Sequence, residues 1–268
     1  MTSTLPLGED DVALELEAVC PPTSAIGRVS AAGDRAQVLL GKRVLVGPLD
    51  PCGECEVCRR GGAPVCPTAR RRAFDADTRR ITAGARWVVA LDDGLALPSP
   101  AGAAVAGPVA LAYTLYARTG IGPREPVVVV GSSPVARFLV EVLRAKGVSP
   151  ATIADPTTPA ADARAACRSA FDAEGLGGRP WRVIAVTEEA VALAAALAGP
   201  RATLTVTTPC GPLPGELAER EVTVIAVAGA HPDLVVEVAA MCVKGELDLA
   251  AGTASAPTPD HRAVVITA

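Results

Sequence analysis

Four of the chain's eight cysteines fall between Cys52 and Cys66, in the stretch CGECEVCRRGGAPVC. Cys52, Cys55, Cys58 and Cys66 follow the spacing C-x2-C-x2-C-x7-C. Four thiolates suit a tetrahedral zinc and fill every coordination position, so a site of this kind holds the chain together and leaves no place for a reactant. An iron–sulfur cluster is the rival reading, because three cysteines two residues apart and a closing Cys66-Pro67 echo the bacterial ferredoxin run. The last gap argues against it, being seven residues where that run has three. A thiol cluster without metal is the third reading.

A second stretch offers different chemistry. Val127 to Val130 is a continuous β-branched run, followed by Gly131-Ser132-Ser133-Pro134-Val135-Ala136, a helical pattern to about Lys146, and a second apolar run, Thr152 to Ala154, that ends in Asp155. A β-branched run without alternation indicates a strand buried on both faces, and this order is a βαβ unit of a parallel sheet. A dinucleotide fingerprint needs glycines where the backbone turns tightly and meets the pyrophosphate, and an acidic residue on the ribose at the end of the second strand. Gly131 fills the first place and Asp155 the last. Asp155 favours NAD over NADP, since a 2′-phosphate would meet like charge.

These groups must be carried by two kinds of element. Residues 1–102 read as strands and loops, with Val12 to Val19, Ala25 to Val29 and Arg43 to Val46 extended, Pro and Gly punctuating the cysteine loop (about 47–70), and Ile81 to Leu91 and Leu95 to Pro98 extended again. Ala103 to Arg118 is helical. Residues 103–250 then alternate strand and helix: strands at Val183–Val186, Ala202–Thr207 and Val222–Val227, helices at Glu188–Leu197 and Pro232–Lys244. The fold class is α/β, an amino-terminal β domain followed by a doubly wound parallel sheet, with the segment 251–268 expected to return to the first domain as a strand.

Composition narrows the function classes. Half of the residues are hydrophobic, 20% are charged, and the formal net charge is −4, which gives no electrostatic reason to expect nucleic acid. No apolar run approaches the roughly 20 residues of a membrane span, and the first ten residues lack the basic start and apolar stretch of a signal peptide. A cytoplasmic protein is expected, and in a reducing compartment clustered thiols are metal ligands rather than disulfides. Cys20, Cys167, Cys210 and Cys242 stand apart in apolar surroundings and read as small buried hydrophobes.

Gly41 to Gly61 with the closing Cys66-Pro67 resembles the structural-zinc lobe of the zinc alcohol dehydrogenases in the medium-chain dehydrogenase/reductase family. Gly84 to Val89, Ala103 to Gly131 and Lys244 to Leu249 are similar to later segments of that family. The resemblance implies a shortened GroES-like β domain, a Rossmann domain with its linking helix, one structural Zn2+ on the four cysteines, and NAD(H) on the turn at Gly131, Ser132, Ser133, Val135 and Ala136. It puts Ser133 and Ala136 where the second and third glycines stand; alanine is tolerated, whereas the serine Cβ would crowd the diphosphate. It also implies a homodimer, or a subunit of a larger assembly, through the edge strand Val222–Val227.

The family's catalytic zinc does not carry over. Pro22 stands at the position of the first ligand, with Cys20 two residues short of it. The stretch that should hold the histidine is deleted before Ala25, and Gly107 stands at the third ligand position. Leu111 replaces the threonine facing the nicotinamide, and the chain has only two histidines, His231 and His261. Tyr113, Thr114 and Tyr116 on the linking helix, and His231, are the remaining hydroxyl and imidazole candidates for proton transfer; core or loop roles compete for each, and a metal site on Cys20 and His231 is the weakest alternative. Two functions follow from this: an oxidoreductase using NAD(H) without catalytic zinc, and a non-catalytic relative kept as a binding or scaffold subunit. Non-redox chemistry in a zinc-free site is a smaller third.

Overall fold

The four valines of β8 (Val127–Val130) are each 0% exposed, as a strand covered by helices on both faces must be. The computed structural model describes residues 7–91, 97–148, 151–207, 212–250 and 263–266. They fall into two compact units, Met1–Ala110 with Ala230–Gly245, and Leu111–Gly229 with Glu246–Ala268. The expected boundary near residue 102 therefore lies at Ala110, and the late segment Ala230–Gly245 belongs with the first unit rather than with the Rossmann-type domain.

The first unit is built on an antiparallel sheet. Its strands are β1 (Asp11–Cys20), β2 (Ser24–Ala32), β3 (Arg43–Val46), β6 (Arg80–Gly84) and β7 (Val88–Leu91), in the order β6-β1-β2-β3-β7. Val12, Leu14, Ala25, Val29, Val44, Val46 and Phe74 form one core, the alternate residues of β1 reaching it as the pleat requires. Between β3 and β6 the chain leaves the sheet for the cysteine lobe. There β4 (Leu49–Asp50) pairs antiparallel with β5 (Arg70–Arg71), and α1 (Glu56–Arg59) is the turn of helix between them. The expected extended run from Ile81 to Leu91 is interrupted at Ala85–Trp87, which forms a 3-10 turn. Of the expected strand at Leu95 to Pro98, Leu95 and Ala96 lie outside the described residues, and Leu97 and Pro98 are not in a strand.

The expected helix from Ala103 to Arg118 is two pieces, a π turn and an α-helix, with a separate short helix before them. A short α2 (Ser99–Gly102) is followed by a π turn at Val105–Val109, and α3 (Ala110–Thr119) continues. Pro108 sits inside the π turn and cannot donate to the helix ladder. The backbone widens there, with the Val109 N–H donating to the Ala104 carbonyl at 3.2 Å.

The second unit is a wholly parallel sheet in the order β12-β11-β10-β8-β9-β13. Its strands besides β8 are β9 (Ala151–Ala154), β10 (Arg182–Ala185), β11 (Thr203–Thr207), β12 (Thr223–Val227) and β13 (Ala263–Ile266). Helices α4 (Pro134–Ala145), α5 (Ala160–Ala173), α6 (Ala190–Leu197) and the short α7 (Glu216–Glu219) connect them, and α8 (Pro232–Val243) lies in the first unit. Helix α5 was not expected, although Ala163, Cys167 and Phe171 recur at intervals of four and are all buried in the core. The carboxy-terminal strand corrects another expectation. It does not return to the amino-terminal sheet; Ala263 to Ile266 pair in parallel with Ala151 to Ala154. The remainder of the segment 251–268, with His261, and Cys210 lie outside the described residues.

Candidate functional site

The cysteine lobe is assembled from backbone rules before any metal is considered. Cys55 caps α1, its sulfur accepting from the Cys58 N–H at 3.4 Å, while the Cys52 sulfur accepts from the Cys55 N–H and the Cys66 sulfur from the Cys52 N–H, each at 3.4 Å. These bonds turn the sulfurs inward. Cys66 and Cys52 stand 3.6 Å apart, Cys55 and Cys66 3.9 Å, and Cys52 and Cys58 4.0 Å, and all four ligand atoms lie within 4.8 Å of one another. A tetrahedron with zinc–sulfur bonds of about 2.3 Å has sulfur–sulfur edges of about 3.8 Å, so the four positions fit zinc. Among the described residues they are the one group of three or more Cys, His, Asp and Glu that gathers at metal-binding separation.

Electrostatics points the same way. Hydrogen bonds from Thr68 and from the backbone at Glu54 and Cys55 draw the Cys52 thiol down to about 6. Burial, and then the neighbouring sulfurs, push Cys58 up to about 12. Four adjacent sulfurs cannot all be thiolates without a cation among them.

The lobe is closed at its base by an ion pair. The Arg72 guanidinium donates to the Asp50 carboxylate, to the Gly47 carbonyl at 3.2 Å and to the Thr82 carbonyl at 2.9 Å, and the Gly84 N–H donates to Asp50 Oδ2 at 3.0 Å. Asp50 is 3% exposed, and burial lowers Arg72 to about 10. This clamp joins the two strands through which the chain enters and leaves the lobe.

His231 also belongs to this region. It stands at the amino end of α8, its Nε2 lies 3.0 Å from the Gly61 carbonyl in the cysteine loop, and its Nδ1 lies 3.7 Å from Asp233. The imidazole expected as a proton carrier is thus engaged with the lobe's own backbone.

The turn after β8 brings together most of the residues named for a dinucleotide. Gly131 has φ +132°, and a Cβ there would lie 2.5 Å from Val186 Cγ2, so only glycine fits. Its N–H donates to the Ala154 carbonyl at 3.0 Å, which sets the end of β9, and Asp155 with it, beside the turn. Ser132 is exposed, Val135 is half-buried, and Ala136 is fully buried where α4 packs on the sheet. Thr157 donates to Asp155 Oδ1 through its N–H at 2.8 Å and its hydroxyl at 2.6 Å, and these bonds hold the carboxyl below its usual range. Ser133 caps α4 in an extended conformation, yet its hydroxyl makes no capping bond and its Oγ is buried without a partner. The turn therefore fits a dinucleotide at Gly131, Ala136 and Asp155, and carries a side chain at Ser133 where close approach asks for none.

Of the linking-helix candidates, Tyr113 and Thr114 are core residues and Tyr116 is half-buried. Tyr113 is 5% exposed and Thr114 2%. The Tyr113 ring lies 5.9 Å from that of Tyr116, with the Lys146 ammonium 5.0 Å from its centre. Spacing along the helix did not reveal which face is buried.

At Gly107, where the resemblance places a ligand of an open metal site, neighbouring side chains fill the space. A Cβ at Gly107 would lie 2.4 Å from Ser24 Oγ, 2.6 Å from Thr23 Oγ1 and 3.0 Å from Thr23 Cβ. Ser24 is fully buried there, its hydroxyl donating to the Ala103 carbonyl at 2.6 Å. Cys20 is half-buried, with its sulfur 3.8 Å from the Thr23 hydroxyl. The part played by Thr23 and Ser24 had no signal in the sequence.

No family model matches the chain. It is 28% identical over 134 residues to the sorbitol dehydrogenase of Bacillus subtilis, a match covering 48% of this chain and 37% of that protein. It is 30% identical over 146 residues to the D-altritol 5-dehydrogenase of Agrobacterium fabrum, covering 51% and 42%. The chain thus spans less than half the length of these curated relatives. Among solved structures, the alcohol dehydrogenase of Thermus sp. ATN1 superposes with a TM-score of 0.74 at 17% identity, covering 93% of this chain and 86% of that one. An alcohol dehydrogenase of Escherichia coli CFT073, solved with NADH, gives 0.71 at 17% identity, covering 92% and 84%. At these identities the likeness is one of fold.

Proposed function

From the premise that this chain shares the fold of the zinc alcohol dehydrogenases of the medium-chain dehydrogenase/reductase class, we propose that it is an NAD(H)-binding oxidoreductase of small alcohol or carbonyl substrates, with one structural zinc and no catalytic zinc. The observation that carries the zinc assignment is the closeness of the four sulfurs to a tetrahedron of the right size. Cys52, Cys55, Cys58 and Cys66 hold the ion, which supplies cross-linking of the lobe and no reaction step.

NAD(H), when bound, supplies the hydride donor or acceptor. Gly131 lets the backbone come close to it, the amino end of α4 offers backbone N–H groups to its phosphates, and Asp155 is ionised for the ribose hydroxyls. Pro134 occupies the first helical position and contributes no N–H of its own. The crowding of Gly107 by Thr23 and Ser24 supports the absence of a second metal, because the shortened turn between β1 and β2 takes the space of a ligand side chain. No helix among the described residues is long and apolar enough to cross a membrane. A reducing, cytoplasmic setting suits the free thiols, and pairing of the β12 edge across a two-fold axis suits a dimer.

The second reading is a non-catalytic binding subunit. It is favoured by the burial of Tyr113 and Thr114 and by the engagement of His231 with Gly61, which leave the named proton carriers committed elsewhere. Titration with NADH and with NADPH, followed by cofactor fluorescence, separates the two: saturable binding with NADH preferred supports the oxidoreductase, and no binding at millimolar cofactor sinks it.

A further inference from the structure

The second unit carries a groove unrelated to the dinucleotide turn. It lies where the parallel strands begin, before β10 and after α6, whereas Gly131 and Asp155 lie where β8 and β9 end. Its volume is about 720 Å³, within the range of small-molecule sites. Four arginines line it, Arg164, Arg168, Arg179 and Arg201, against one acidic residue, Asp172. In a chain of net charge −4 this local excess of cations stands out.

Their hydrogen bonding divides the four. Arg164 donates to the Ala196 carbonyl at the end of α6, and Arg179 to the Arg124 carbonyl at 3.1 Å. Those two are occupied in closing the fold, as cations near helix ends and loops often are. Arg168 and Arg201 are exposed, and neither guanidinium has an ion pair or hydrogen bond with any described residue. A half-buried Trp181, edge-on to Phe171 with ring centres 5.3 Å apart, supplies an aromatic wall. A guanidinium group suits phosphate over neutral ligands because its planar fork donates two hydrogen bonds to two oxygens at once.

We propose that this groove is a second anion site, which takes a small molecule bearing a di- or triphosphate, with Arg168 and Arg201 as its principal donors and Trp181 as its apolar wall.

The test is calorimetric titration of the full chain with inorganic pyrophosphate and with ATP, at low and at raised salt, repeated on Arg168→Glu/Arg201→Asn. Asparagine is chosen at 201 because Arg201 holds a left-handed backbone, φ 58°, that asparagine tolerates. The expected result is saturable binding that weakens with salt and falls by about tenfold or more in the double variant, whose far-ultraviolet circular dichroism matches the parent. Binding that tightens from pyrophosphate to ATP assigns the aromatic wall a part in it. Four results overturn the proposal: no saturable binding of either probe, binding unchanged in the double variant, binding of a long oligonucleotide in place of both, or displacement of pyrophosphate by NADH. Adding NADH separates the two sites, since displacement of pyrophosphate by NADH would assign the anion to the Gly131 turn instead.

Discussion

Gly107 and Ser24 are in each other's space: a Cβ on the glycine would lie 2.4 Å from the serine hydroxyl oxygen, which is itself held by the Ala103 carbonyl at 2.6 Å. The serine cannot move away without giving up a buried hydrogen bond. The glycine is therefore a packing requirement of the shortened turn.

Gly107→Ala should destabilise the protein by about 1–3 kcal/mol, the usual penalty of overpacking a filled core. Chemical denaturation monitored by circular dichroism measures it. A combined Gly107→Cys and Pro22→Cys variant should likewise lose stability and should not gain a second zinc; a gain would show that the turn opens readily.

One zinc per chain is the expected result of elemental analysis, and Cys58→Ser or Cys66→Ser should lose it. Chelation should destabilise the protein and expose the lobe to proteolysis, because the metal cross-links a loop with little core of its own. His231→Ala should speed metal loss without changing the zinc count, since it removes the bond at Gly61 but no ligand. Two zincs, or iron, would contradict the site assignment.

Ser133→Gly should tighten NADH binding several-fold, because it removes a side chain from the point of closest approach and relieves a buried hydroxyl that has no partner. Asp155→Asn should weaken NADH and narrow its advantage over NADPH. Cofactor fluorescence reads both, and an unchanged affinity in Ser133→Gly would mean that the diphosphate does not lie on this turn.

Acid should unfold the protein in part through two carboxylates. Burial alone would raise Glu17 and Glu125, but hydrogen bonds from Ser99 and Arg43 to the first, and from Arg182 and the Gly122 N–H to the second, outweigh it and hold both below the ordinary range. A depressed folded value means stability that is fully present above the ordinary carboxylate range, about pH 5 and higher, and lost as pH falls through the depressed value. Melting temperature should thus drop below about pH 5 in the parent and less steeply in Glu17→Gln/Glu125→Gln. Parallel curves would remove these pairs from the account.

Much of the organisation could be read along the chain because it depends on local pattern. The cysteine spacing, the four valines of β8, the glycine after them and the acidic residue ending β9 each declare an element or a ligand set by their own neighbours. Helix α5 was not expected, although the four-residue recurrence of Ala163, Cys167 and Phe171 is a local pattern of the same kind. The place of the carboxy-terminal strand was not legible in this way: its residues read as extended, but the edge it joins is chosen by pairing with Ala151 to Ala154, more than a hundred positions away. The same limit governs chemistry. Sequence alone determined that four thiols could meet at one metal, since a single loop carries them all. Only the tertiary structure decided that Tyr113 and Thr114 are buried, that His231 is held by Gly61, and that Thr23 and Ser24 crowd Gly107. Burial and close contact are set by residues distant in the chain, and no local spacing encodes them.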